Sequence, residues 1–256
     1  MNNIYFSTVL LDNQRWTKEK NPSLPVSTYY EALLGAGFSG IELWEFHYTN
    51  SSKQERTALE AQTGNTPIYN VYCTMADADA ERRDKSLEIA GKIGATGIKF
   101  NIGSDSSKWD EYVRNCKIWR DQAPDNLRLL CECHPGTVIE EADEARKFFD
   151  QVGMEKFGII VHPFSRHESL REWMELFGPH VSHMHLQMRD PVDEDKFVLF
   201  EEREDVVEDS LRILREEGFF GTYSLEFTKG TRTKNDRQEI LFKNAIKDLN
   251  YIKGML

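Results

Sequence analysis

Hydrophobic and polar positions along the chain follow one beat, repeated about every 30 residues: a short apolar run, a polar loop, then apolar residues at helical spacing. The strand-like runs are 4–9, 40–43, 67–73, 97–101, 127–133, 157–162, 181–186 and 222–227. Helical patterns lie between them at 27–36, 53–62, 78–93, 108–120, 140–152, 168–177 and 206–217, and a last one at 236–253 closes the series. Gly35, Gly37, Gly94, Gly153 and Gly218 follow helical runs, where a left-handed cap is wanted. Eight strands alternating with eight helices predict a parallel sheet, and that count closes into a (β/α)8 TIM barrel of the α/β class. The competing open, doubly wound sheet lacks a glycine-rich phosphate loop after its first strand. No linker or low-complexity tract interrupts the beat, so one domain over residues 1–256 is expected.

Side chains alternate across a strand, so placing the purely apolar positions under the helices sorts the rest. Ile41 and Leu43, Ile98 and Phe100, Cys131 and Cys133, and Ile159 and Val161 then face outward. The inward set becomes Glu42, Trp44, Lys99, Asn101, Glu132, His134, His162, His183, His185, Ser224 and Glu226. Carboxylates and imidazoles buried at this density are costly unless paired or bound to a metal. Four of them come from consecutive strands: Glu132 in Leu129-Leu-Cys-Glu132-Cys-His134-Pro, His162 in Gly158-Ile-Ile-Val-His162-Pro163, His185 in Val181-Ser-His-Met-His185-Leu, and Glu226 in Tyr223-Ser-Leu-Glu226-Phe. Neighbours in this series are separated by roughly one β/α unit, so the four should converge at the C-terminal mouth, where this fold carries its active sites. Two carboxylates with two imidazoles suit one divalent cation: Mn2+ first, then Fe2+, Co2+ or Zn2+, with Mg2+ open because of the oxygen donors.

At these residues the chain resembles the xylose-isomerase-like TIM-barrel superfamily. Gly37-Phe-Ser-Gly-Ile-Glu42-Leu is similar to its second-strand signature. Leu130-Cys-Glu132-Cys-His134-Pro, His183-Met-His185-Leu and Ser224-Leu-Glu226 resemble the fifth, seventh and eighth. The resemblance implies a metal held by Glu132, His162, His185 and Glu226. At His162 the chain departs from the family's usual aspartate, and Ser165 stands where the family often has a histidine, with His167 close by. The implied activity is a metal-dependent sugar isomerase or epimerase that removes a proton next to a carbonyl polarised by the cation, through an enediolate, with Glu132 and Glu226 as acid and base. The alternatives are a lyase on keto-sugars, of the inosose dehydratase or 3-keto-C-glycoside deglycosidase kind, and a non-catalytic sugar-binding barrel. Glu42, Trp44, His47, Asn101, His134 and Arg189 are the candidate contacts to a sugar or keto-glycoside. Trp16 and Phe164 are further candidates for stacking on sugar faces.

Composition narrows the classes. A formal charge of −11 opposes the basic footprint that nucleic-acid binding needs, and so weighs against the abasic-site endonucleases of the same superfamily. No apolar stretch approaches the roughly 18 residues of a membrane span. The start, Met1-Asn2-Asn3 before Ile4-Tyr5-Phe6, lacks a leader pattern. The four cysteines read as reduced, buried thiols of a cytoplasmic protein. The family implies a homo-oligomer, or a heteromer with a small partner subunit.

Overall fold

A computed structural model describes residues 3–256; Met1 and Asn2, where the reading of a missing leader begins, lie outside the described residues. Eight strands form a closed parallel barrel in sequence order: β1 Ile4–Ser7, β2 Ile41–Trp44, β3 Ile68–Asn70, β4 Gly97–Phe100, β5 Arg128–Glu132, β6 Phe157–Val161, β7 Val181–Leu186 and β8 Thr222–Leu225. The helices are α1 Tyr30–Ala36, α2 Phe46–Thr49, α3 Lys53–Glu60, α4 Ala80–Ile93, α5 Trp109–Gln122, α6 Ala142–Val152, α7 Leu170–Phe177, α8 Glu204–Glu216 and α9 Gln238–Met255. Each strand-like run overlaps a strand: six strands are shorter than the run, β7 matches it, and β2 is shifted by one residue. The residues trimmed from the C-terminal ends, such as Asn101, Cys133, His162 and Glu226, leave the ladder at the mouth. The single turn α2 is an addition, too short to leave a helical period in the sequence. No helix among the described residues is long and apolar enough to cross a membrane.

Local signals account for several boundaries. Ser52 caps α3 by accepting the Glu55 N–H. Gly37 and Gly94 end α1 and α4 at φ of 102° and 69°, a conformation that a Cβ disfavours. The residues assigned outward on β2, β4, β5 and β6 pack under the helices in one large core. Inside the barrel, Tyr5, Ile68, Leu130 and Ile160 form a separate apolar plug. Gly97 and Gly158 flank that plug, and a Cβ on either would come to 2.9 or 3.0 Å from the Leu130 side chain. Above the plug the inward positions turn polar. On β1, β3, β5 and β6 the next inward residues are Ser7, Asn70, Glu132 and His162, and that change of layer helps set up the site.

Candidate metal centre

Glu132, His162, His185 and Glu226 stand at the C-terminal ends of β5, β6, β7 and β8 and are all buried. One ligand atom from each lies within 4.8 Å of all the others. Donors on opposite sides of a shell of about 2.0–2.2 Å radius are about 4.2 Å apart, so a small inward shift brings the four onto one divalent ion. Donor chemistry and burial both fit such an ion.

The two carboxylates are held differently. Glu132 Oε1 accepts from His162 Nε2 at 2.9 Å and from His185 Nδ1 at 3.1 Å, and its Oε2 receives Lys99 Nζ at 2.7 Å and Asn101 Nδ2 at 3.1 Å. Burial alone would raise its pKa, but the Lys99 charge and the two imidazoles outweigh burial and hold it well below the usual carboxylate range. Glu226 has no side-chain donor within hydrogen-bond distance among the described residues; its nearest imidazole nitrogens are His185 Nδ1 at 3.7 Å and His162 Nδ1 at 3.9 Å. Burial raises it to about 7: the positive His185 draws it down, and the charges of Glu132 and Glu42 push it up.

His162 is neutral in this setting, since burial lowers it to about 4 against the pull of Glu132. Its Nδ1 receives the Gln187 amide at 2.8 Å. His185 is the opposite case. Burial lowers it, but Glu42 and Glu226 win and place it well above the ordinary imidazole range, so both nitrogens donate until a cation displaces the Nδ1 proton. Its Nε2 contacts Glu42 Oε2 at 3.1 Å, which fixes the ring from behind.

The remaining candidate residues fall into two groups. Glu42 lies wholly buried beneath the quartet. Its oxygens are taken by Ser7, Asn70 and His185, with His183 Nε2 at 3.4 Å, and together with His183 and His185 it forms a second compact group of metal-capable side chains. His183 is one step deeper, bonded to Thr222 and Ser224. Trp44 is buried against Val9, Phe197 and Phe227. His47 is also buried, with Nδ1 on Thr8 and Nε2 on Asp12, so neither nitrogen is left for a ligand. Phe164 packs on Phe200, while Trp16 stays half exposed at 51% against Phe227. Asn101 bridges Lys99 and Glu132, so it reaches the site through the anchoring carboxylate. His134 and Arg189 line a cleft beside the quartet, together with His162 and Gln187.

Sequence reasoning missed the Lys99–Glu132 ion pair, although both residues had been placed inward on adjacent strands. It also missed Tyr72, whose ring lies 4.6 Å from Lys99 Nζ, and Gln187 as the partner of His162. Both keep inward parity, Tyr72 two residues after Asn70 and Gln187 two after His185, but parity names no partner.

No protein-family model matches the chain, and no curated protein sequence does. Solved structures do. The probable 3-DHS dehydratase AsbF of Bacillus anthracis, involved in petrobactin synthesis, matches at TM-score 0.72 and 16% identity over 98% of this chain and 99% of its own. The IolI protein with a bound zinc matches at 0.66 and 15% over 98% and 99%. The 3-keto-D-glucoside 4-epimerase YcjR of E. coli matches at 0.65 and 12% over 99% and 100%. A magnesium-bound xylose isomerase-like TIM barrel and an endonuclease IV share the architecture as well. The fold is therefore a (β/α)8 barrel shared with these proteins. Its known examples catalyse several different reactions.

Proposed function

We propose that this chain is a divalent-metal-dependent isomerase or epimerase of keto-sugars. The observation that carries the reading is the convergence of four buried ligand atoms, from four consecutive strand ends, within 4.8 Å. Two carboxylates with two imidazoles favour Mn2+, Fe2+, Co2+ or Zn2+ over Mg2+. When bound, the cation supplies the Lewis acidity that polarises a carbonyl and acidifies the neighbouring C–H.

The protein's own groups divide the remaining work. Glu132, held by two imidazoles, Lys99 and Asn101, is the fixed anchor. Glu226, without a side-chain hydrogen-bond donor among the described residues, is the carboxylate that takes the proton from carbon and returns it. This assignment separates two roles that the sequence reading shared between Glu132 and Glu226. Lys99, 2% exposed and within 2.7 Å of Glu132, places a fixed positive charge where an oxyanion develops. Return of the proton by Glu226 to the neighbouring carbon isomerises the sugar; epimerisation takes a second proton donor on the opposite face, such as a solvent molecule, because Glu226 acts from one face.

A lyase outcome is the second reading, favoured by the likeness in fold to a dehydratase at TM-score 0.72. Proton removal is the same there, and a β-substituent departs instead. The test is incubation with ketoses, inososes and 3-keto-glycosides in D2O with added Mn2+, followed by mass spectrometry and NMR. Deuterium appearing next to the carbonyl with the product otherwise unchanged in mass supports the isomerase reading. Loss of water or an aglycone transfers the assignment to the lyase. Absence of exchange from every substrate, with Mn2+ bound, leaves the barrel a binding protein.

A further inference from the structure

A cleft of about 550 Å3 opens beside the quartet, between the loops that follow β6 and β7. Its inner wall includes His162 and Gln187, both buried, and its outer part includes the half-buried Arg166 and Arg189. Gln187 gives its amide to His162, and this leaves Gln187 Oε1 buried with no partner among the described residues. A buried acceptor without a donor is costly, so this one is poised for a ligand hydroxyl.

The two arginines are also incompletely used. Arg166 donates to the main-chain carbonyl of Glu140, and Arg189 to that of Glu194. Arg189 also lies over the Phe197 ring at 5.1 Å. These contacts hold each planar group in place without cancelling its charge. Neither arginine has a carboxylate in ion-pair contact among the described residues. Arg203, on the same cleft, does have one, in Asp205. Glu168, Asp190 and Glu194 share the lining, but Asp190 Oδ1 is occupied by the backbone amides of Val192 and Asp193. In a chain where acidic residues outnumber basic ones 43 to 32, two oriented guanidinium groups without a counter-charge in a cleft ask for an anion. Their fork of N–H donors matches the oxygens of a carboxylate or a phosphate.

We propose that this cleft binds an anionic substituent of the substrate, a carboxylate or a phosphate, remote from the carbons that react. Arg166 and Arg189 grip the anion, and Gln187 Oε1 accepts a hydroxyl between it and the quartet. The volume suits one sugar-sized molecule carrying such a group. The proposal rests on the reading that the reacting end of the substrate lies at the quartet. It narrows the substrate class to sugar acids or sugar phosphates.

Calorimetric titration of the metal-stripped protein with inorganic phosphate, D-gluconate and uncharged sorbitol tests it. At least one anion should bind ten times more tightly than sorbitol. That preference should vanish in the Arg166→Gln/Arg189→Gln variant and survive in part in Arg166→Lys/Arg189→Lys, which keeps the charge if the glutamine variant folds poorly. Preference for phosphate or for gluconate identifies which anion the substrate carries. The titration needs no cation, so failure of the cation reading (no metal bound on titration with Mn2+) and failure of this one (no anion preference) are separate results. Equal binding of sorbitol, no measurable binding of either anion, or anion binding unchanged by the glutamine variant overturns the proposal.

Discussion

The β5 side and the β8 side of the barrel mouth each present a buried carboxylate, and their surroundings are opposite. Glu132 on the β5 side is met by four donors, one of them the buried Lys99. Glu226 on the β8 side has none among the described residues, and there Asp248 of α9, bonded to Thr228 two residues beyond Glu226, is held only by neutral donors, Thr228 Oγ1 and Phe200 N. Burial penalises a charged carboxylate in both places and His185 draws both down, but only Glu132 has the Lys99 ammonium and hydrogen-bond donors in direct contact. The difference divides the labour: a site that must both fix an ion and exchange a proton keeps one carboxylate permanently charged and leaves the other free to change state.

The largest test of this contrast compares the same substitution on the two sides. In metal-stripped protein, Glu132→Gln leaves Lys99 buried without a counter-charge and should cost about 3–5 kcal/mol in urea unfolding. Glu226→Gln replaces a carboxyl that meets no side-chain donor among the described residues and should change stability by less than about 1 kcal/mol, while lowering turnover by roughly 10²–10⁴-fold. Equal stability losses would erase the distinction. Next in size, Lys99→Met combined with Glu132→Gln should be less destabilising than the sum of the single changes by about 2 kcal/mol, because the second change removes the stranded charge. Additive losses would show that the pair is not coupled. A smaller loss, about 1.5 kcal/mol, is expected for Asn101→Ala, which takes one hydrogen bond from the charged Glu132.

The β8 side gives a pH signature of its own. Burial raises Asp248 to about 7 against the hydrogen bonds from Thr228 and Phe200, and nearby Glu201 and Glu202 add to the rise. Since the folded pKa exceeds the unfolded value of about 4, folding favours the protonated form. Its contribution is complete below about pH 4 and declines as pH rises through about 7. Wild-type stability minus that of Asp248→Asn should therefore fall by about 1 kcal/mol per pH unit across that window. A flat difference curve would show that Asp248 is charged in the folded protein.

Strand alternation made the quartet legible, because polar residues at inward parity on consecutive strands have one place to meet in a closed barrel. The apolar residues outside were legible for the same reason. Side-chain contacts within the inward layer were not. His47 lies at the end of a strand-like run and reads as a mouth residue, yet the turn α2 folds it under onto Asp12 and Thr8. Glu42 shares parity with the site but sits one layer lower, behind His185. Parity gives the side of a strand and not the depth or the partner, and depth depends on how neighbouring strands are staggered. Lys99 shows the limit well: its inward position was readable, but its pairing with Glu132 follows from the stagger of β4 on β5.

The central claim is that Glu132, His162, His185 and Glu226 hold one divalent cation per chain. Stripping the purified protein of metal and titrating it with Mn2+ and Zn2+, with elemental analysis of the dialysed product, tests this most directly. The account predicts one cation per chain, with affinity reduced at least tenfold by His162→Ala and by Glu132→Gln. Absence of a bound cation, or undiminished stoichiometry and affinity in both variants, would contradict it.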